Sequence, residues 1–307
     1  EWNAALGAGL PIGSPVRTLE FVVPVVLLLG APTLHYAASG LALQAAAGVR
    51  LPPRERYLSQ LAAAAANRVT PGGVGGAALN ARYLARRGST CVHAVAAVGV
   101  LQVLGAIADV AVFTAMFVVG SVFGLAPNGS WAMLIHELEI PASLASRHPW
   151  ATALVAAGLG FIVVRRRTRS ETSVGRRDRL STLFGELRRL RERPSDIAVL
   201  MGASASTTLM LGVGFAASVA VVVGPGVWHE FFGLVIGYML GSAVGNAAPV
   251  PSGIGTTDTA LVGVVAASGV AMHQAVIAVM LFRVVSFWTP AALGLVAGAT
   301  LRRRGAY

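Results

Sequence analysis

The sequence predicts an all-α integral membrane protein, and three observations carry that expectation. Hydrophobic residues make up 55% of the 307-residue chain and charged residues only 12%, with a mean hydropathy of +0.69. A soluble domain usually carries about twice that charged share. Apolar runs of the length that spans hydrocarbon cover residues 20–47, 90–125, 197–223 and 271–299, with a shorter one at 149–164. Two further apolar stretches, 55–87 and 229–268, are interrupted in the middle by Pro and Gly.

The basic residues are all Arg, and their distribution gives sidedness. Arg50, Arg54 and Arg56 follow the first run, Arg82, Arg86 and Arg87 follow the first interrupted stretch, and Arg302, Arg303 and Arg304 follow the last run. The segment 165–193 holds 11 Arg, with Leu180, Leu183, Phe184, Leu187 and Leu190 at helical spacing. Its second half reads as a short amphipathic helix, either solvated or touching lipid head groups. By contrast 125–148 carries Glu137 and Glu139 against one Arg, Arg147. One topology fits: the chain starts outside, 55–87 dips from the inside and returns there, and 229–268 dips from the outside.

Other classes are excluded. The net charge of +11 comes without the interleaved aromatics of a nucleic-acid surface. One cysteine, Cys91, rules out an intrachain disulfide, and the six His show no metal-ligand spacing. No nucleotide loop, catalytic triad or cofactor signature is present, so no enzymatic activity, no catalytic residue, no metal and no cofactor are expected.

The two interruptions resemble one another. Asn67-Arg-Val-Thr-Pro71-Gly-Gly-Val-Gly75-Gly lies in the first, and Asn246-Ala-Ala-Pro-Val-Pro251-Ser-Gly-Ile-Gly255-Thr-Thr-Asp258 in the second. At an offset of 180, Pro71 matches Pro251, Gly73 matches Gly253, Gly75 matches Gly255, and His93 matches His273. One odd span at 149–164 between the halves turns the second upside down, an inverted-topology repeat. Residues 1–307 then form a single transmembrane domain: repeat one at about 20–125, a linking span and basic loop at 149–196, and repeat two at about 197–300. Pro bars regular helix before it and Gly lets the chain turn. Each interruption therefore reads as two half-helices joined at membrane depth, whose freed backbone groups must face protein or a polar cavity. The plainer alternative is two extramembrane loops between full spans.

The positive end of the helix after each Gly cluster favours an anionic guest. The candidate substrate-binding residues are Asn67, Arg68, Pro71, Gly72, Gly73 and Gly75 at the first interruption, and Asn246, Pro251, Gly253, Gly255, Thr256, Thr257 and Asp258 at the second. Arg68 either grips a phosphate bidentately or snorkels to the surface. Asp258 either lines the cavity or serves as a first-turn charge on its helix. Asp109 and Arg283 lie deep in spans, where a charge is costly and seldom left alone. They pair with one another, or with Arg68 and Asp258.

At these residues the chain resembles the transmembrane, flippase-type region of the lysylphosphatidylglycerol synthase family, also known from multiple peptide resistance factor and as stand-alone membrane proteins. Asn67 through Gly76 fit the family's Asn-x-x-x-Pro-Gly-x-x-Gly-Gly. Pro249 to Asp258 fit Pro-x-Pro-Gly-Gly-x-Gly-x-x-Glu, with Ser252 for a Gly and Asp258 for the Glu. Arg283 and Pro290 match an Arg and Pro of the last span, Asp109 fills an Asp position, and Gln102 stands near the place of an Arg. The resemblance implies movement of an anionic phospholipid, or a polyprenyl-phosphate-linked head group, between leaflets. It implies a multi-pass protein of a cell membrane, expected to be the bacterial plasma membrane, acting as a homodimer or beside an envelope-synthesis partner. The rival reading is a non-catalytic scaffold or partner subunit for a lipid- or envelope-modifying enzyme.

Overall fold

The computed structural model describes residues 15–70, 74–122, 185, 188–247 and 253–307, with the backbone alone at 15–19, 121 and 244–247. The apolar run 149–164, most of the basic segment 165–193, and Pro71, Gly72, Gly73 and Pro251 lie outside the described residues. All described elements are helical. They are α1 (Pro15–Ala47), α2 (Pro53–Val69), α3 (Val74–Arg86), α4 (Cys91–Val122), α5 (Pro194–Val223), α6 (Phe231–Ala247), α7 (Thr256–Ala267), α8 (Met272–Arg283) and α9 (Thr289–Arg303). A 3-10 segment, Pro225–Glu230, precedes α6, and a π-helical segment, Val284–Trp288, joins α8 to α9.

Local chemistry sets the boundaries. Pro53 and Pro194 sit in the first turns of α2 and α5, where a missing N–H costs nothing and the fixed φ suits a helix. Gly224 ends α5 at φ 103°, a conformation that side chains disfavour, and its N–H still bonds to the Ala220 carbonyl at 2.9 Å. α1 continues through Pro24 and Pro32. Each proline withholds one backbone hydrogen bond, but α1 is held along its length by α5, the most extensive helix pairing among the described residues.

Among the described residues, four segments are long and apolar enough to cross a membrane: Glu20–Ala47, Cys91–Gly120, Pro194–Val223 and Met272–Arg303. Their outward faces confirm the environment. Phe21, Val26, Leu29, Leu34, Ile107, Ile277, Leu295 and Val296 are all more than half exposed. Exposed apolar surface on that scale marks contact with something other than water. The chain is an α-helical, multi-pass membrane protein.

The described helices fall into two comparable sets. α1, α2, α3 and α4 have 33, 17, 13 and 32 residues. α5, α6 and α7 have 30, 17 and 12 residues, and the continuous run Met272–Arg303 has 32. Corresponding starts are separated by 178 to 182 residues (15 and 194, 53 and 231, 74 and 256, 91 and 272). Within each set the first helix packs on the second and on the fourth segment, the second on the third, and the third on the fourth.

Two apolar cores are each built mainly from one set, with Leu301 of α9 entering the first and Leu28 of α1 the second. Leu43, Tyr83, Leu84, Ala94 and Ala97 fill one. Phe215, Leu234, Val235, Val265, Val279 and Phe282 fill the other. The sets meet where Gly214 of α5 faces Ala31 of α1, with 3.0 Å from a built Cβ to the alanine methyl. They meet again where Gly294 of α9 lies on α2, its would-be Cβ only 2.2 Å from the Leu61 carbonyl oxygen. Glycine at both places allows backbones to approach as small residues do in membrane helix pairs.

Candidate functional site

Both interrupted stretches break the helix where Pro and Gly occur. In the first, α2 ends at Val69 and α3 begins at Val74. Gly75 and Gly76 are therefore helical rather than part of the turn, and their smallness serves close approach. A Cβ on Gly75 would lie 2.6 Å from Thr70 Oγ1 and 2.7 Å from the Ala66 carbonyl oxygen. One on Gly76 would lie 2.6 Å from the Asn67 amide. That space is filled by caps: the Gly75 N–H donates to Thr70 Oγ1 at 2.9 Å and the Gly76 N–H to Asn67 Oδ1 at 2.6 Å. The last turn of α2 thus holds the first turn of α3.

In the second stretch, α6 ends at Ala247, so Asn246 lies in its last turn. Gly253 and Gly255 adopt φ of 62° and 86°, which L side chains rarely adopt. α7 opens with its own cap, the Gly255 N–H donating to Asp258 Oδ2 at 2.9 Å. Thr256 Oγ1 donates to the Gly253 carbonyl at 3.3 Å, and Thr257 is buried with no hydrogen-bond partner for its hydroxyl among the described residues. Asp258 also receives the Arg283 guanidinium in an ion pair, and Arg283 Nη2 reaches the Gly253 carbonyl at 3.4 Å. Arg283 therefore ties the end of α8 to the turn that starts α7.

The π-helical segment after Arg283 brings the two stretches together. Its Phe287 ring receives the Arg283 guanidinium at 5.0 Å and the Arg68 guanidinium at 4.4 Å. Arg68 Nη2 is also 3.5 Å from Tyr36 Oη of α1 and 3.5 Å from the Ser286 carbonyl. The two arginines differ in charge balance. Arg283 is neutralised by Asp258, whereas among the described residues Arg68 has no carboxylate in ion-pairing range and its buried Nε has no hydrogen-bond partner. Two guanidinium groups on one ring against one carboxylate leave a net positive charge at the junction of α1, α2 and the π segment.

The sequence candidates thus separate. Arg68, Arg283, Asp258 and Gly253 join one cluster, with Gly255 and Thr256 in its supporting turn. Asn67 and Gly75 build the cap behind Arg68. Asp109 of α4 is elsewhere: its carboxylate takes a hydrogen bond from Thr208 Oγ1 of α5 and pairs with no arginine among the described residues. Phe287, Tyr36 and the Ser286 carbonyl were not candidates. Phe287 carried one signal, its place four residues after Arg283, but a phenylalanine in an apolar run is ordinarily core or lipid-facing.

Comparison with curated proteins gives no match. Residues 12–294 match the family described as the lysylphosphatidylglycerol synthase TM region. That span includes every residue of the cluster, and the chain belongs to the lysylphosphatidylglycerol synthase transmembrane-region family.

Proposed function

We propose that this protein is a lipid flippase that moves an anionic phospholipid, or a polyprenyl-phosphate-linked head group, between leaflets of the bacterial plasma membrane, without catalysing a covalent step. The observation that carries this reading is Arg68: a guanidinium with no carboxylate among the described residues, held at a break in the helices by Phe287, Tyr36 and the Ser286 carbonyl. A phosphate oxygen pair fits a guanidinium fork and supplies the missing negative charge.

The matched helix lengths support an inverted repeat in which α2–α3 and α6–α7 are re-entrant pairs entering from opposite faces. Their breaks then lie near the midplane, where freed backbone must be shielded from lipid. The amides of Gly75, Gly76 and Gly255 already have side-chain acceptors. Helix ends therefore contribute field, and Arg68 is the direct contact. The head group sits at Arg68 while its acyl chains stay among the exposed apolar faces. Rocking of one helix set on the other across α1 and α5 opens the site to each side in turn.

The test is exchange of a fluorescent anionic lipid across reconstituted liposomes, read by chemical bleaching of the outer leaflet. The wild-type protein is expected to expose the inner-leaflet pool and Arg68→Ala to slow that exposure. Equal exchange by Arg68→Ala and wild type would overturn the role of Arg68. No exchange above protein-free liposomes would overturn the flippase reading.

A further inference from the structure

Asp109 is an acidic group within a membrane span that the site does not use. It lies in the middle of α4, exposed on the seam with α5. Its partner is a neutral hydroxyl, Thr208 Oγ1, and among the described residues no cation is in ion-pairing range. Along the same α4–α5 seam, Ala108, Ala111, Val112 and Ala115 face Met201, Gly202 and Ala205 across an open groove of about 340 Å³ that Asp109 itself does not line. A carboxylate at that depth without a cation is costly. A carboxylic acid is not, because it is neutral and its O–H and C=O both fit a threonine hydroxyl.

The residue next to Thr208 makes the link to the lipid site. The Thr207 carbonyl lies 3.0 Å from His35 Nδ1 of α1. The His35 ring meets the Tyr36 ring edge-on at 4.8 Å, and Tyr36 Oη is 3.5 Å from Arg68. Two adjacent residues of α5 therefore hold one titratable group each, Asp109 on α4 and His35 on α1. The line of contacts from Asp109 ends at the guanidinium that would take the head group. The other ionisable groups facing this region are Tyr238 of α6, which feels Asp109, Arg283 and Tyr36, and Arg283 itself, which Asp258 neutralises.

We propose that Asp109 is a proton-binding site that couples a proton to the movement of the anionic head group. The proposal rests on the flippase reading. When the seam faces water on one side, the carboxylate takes a proton and an O–H bond forms. When it faces the other side, the same bond breaks and the proton leaves to water. α5 carries the Thr208 contact and also packs on α1, the face across which the two helix sets rock. A change at that face shifts the protonation equilibrium of Asp109 and the site at Arg68 together, which is the requirement for coupling. One proton moving with one monoanionic head group makes the transfer electroneutral.

The experiment uses proteoliposomes with a fluorescent phosphatidylglycerol, an imposed gradient of about one pH unit, and the membrane potential clamped with potassium and valinomycin. Wild type is expected to redistribute the lipid between leaflets by up to about tenfold, the ratio that one pH unit supports at one proton per lipid. Asp109→Asn, which keeps the shape of the neutral acid, is expected to show the same distribution with and without the gradient. Thr208→Val is expected to weaken the gradient response and covers the case in which Asp109→Asn fails to fold. Wild-type exchange that ignores the gradient overturns the coupling and leaves the flippase reading standing, as does a full gradient response in either variant. Absence of all exchange in wild type overturns both.

Discussion

The Arg283 guanidinium forms an ion pair with Asp258 and at the same time reaches the Gly253 carbonyl, so one side chain fixes both the charge and the backbone of the second helix break. The two side chains are only 12% and 19% exposed. Removing one partner of such a pair leaves a charge with neither water nor counter-ion, a loss of about 3–5 kcal/mol when burial is complete. Asp258→Ala and Arg283→Ala are each expected to lower thermal stability in detergent strongly. The double substitution is expected to cost less than the sum of the two. A strictly additive double variant would mean that the pair contributes nothing as a pair.

Arg68 is predicted to tolerate neither loss nor conservative change. A charge-assisted hydrogen bond contributes about 1.5–3 kcal/mol. Arg68→Ala is therefore expected to slow lipid exchange by roughly 10- to 150-fold with little effect on folding. Lysine keeps the charge but lacks the planar fork that stacks on Phe287 and spans two phosphate oxygens. Arg68→Lys is expected to lie nearer to Arg68→Ala than to wild type. Phe287→Leu should weaken lipid exchange as well, because it removes the ring on which both guanidinium groups rest.

These contacts also mark what a single sequence discloses. The apolar runs at 20–47, 90–125, 197–223 and 271–299 correspond to long helices because hydrocarbon demands length and continuity, which are properties of the chain alone. The breaks at 55–87 and 229–268 were legible because Pro and Gly act locally. Partnership was not. Asp109 had several arginines available on paper and takes Thr208 instead, since α4 is apolar all round and its periodicity does not reveal which face meets α5. Asp258 was open to more than one partner and takes Arg283, 25 residues away. Gly75 and Gly76 looked like turn residues, because a glycine needed for a turn and one needed for close packing leave the same letter. The π segment at Val284–Trp288, which places Phe287, has no sequence signature at all.

Glycine substitutions in the second helix set should separate crowding from propensity. A Cβ on Gly263 in α7 meets nothing within 4 Å, so Gly263→Ala is expected to raise stability by about 0.5–1 kcal/mol through helix propensity alone. A Cβ on Gly294 would lie 2.2 Å from the Leu61 carbonyl and 2.8 Å from the Ala65 methyl. Gly294→Ala must push α9 off α2, and a loss of about 1–3 kcal/mol or more is expected. Thermal unfolding of the two variants in one detergent checks the contrast, and equal shifts would contradict the packing of α9 on α2.

The first break offers a test of coupling with a definite sign. Asn67 caps α3 through the Gly76 N–H at 2.6 Å, and its amide occupies the space that a Cβ on Gly76 would need. Asn67→Ala removes the cap and is expected to cost about 1 kcal/mol. Gly76→Ala in the wild-type background must displace that amide and so loses the cap as well as adding strain. Once Asn67 is alanine, the three nearest atoms in the way are gone and a methyl at position 76 gains helix propensity. Gly76→Ala is therefore expected to destabilise the wild-type protein but to be neutral or stabilising in the Asn67→Ala background, measured as thermal unfolding across the full cycle. The same effect of Gly76→Ala in both backgrounds would show that Asn67 does not hold the start of α3.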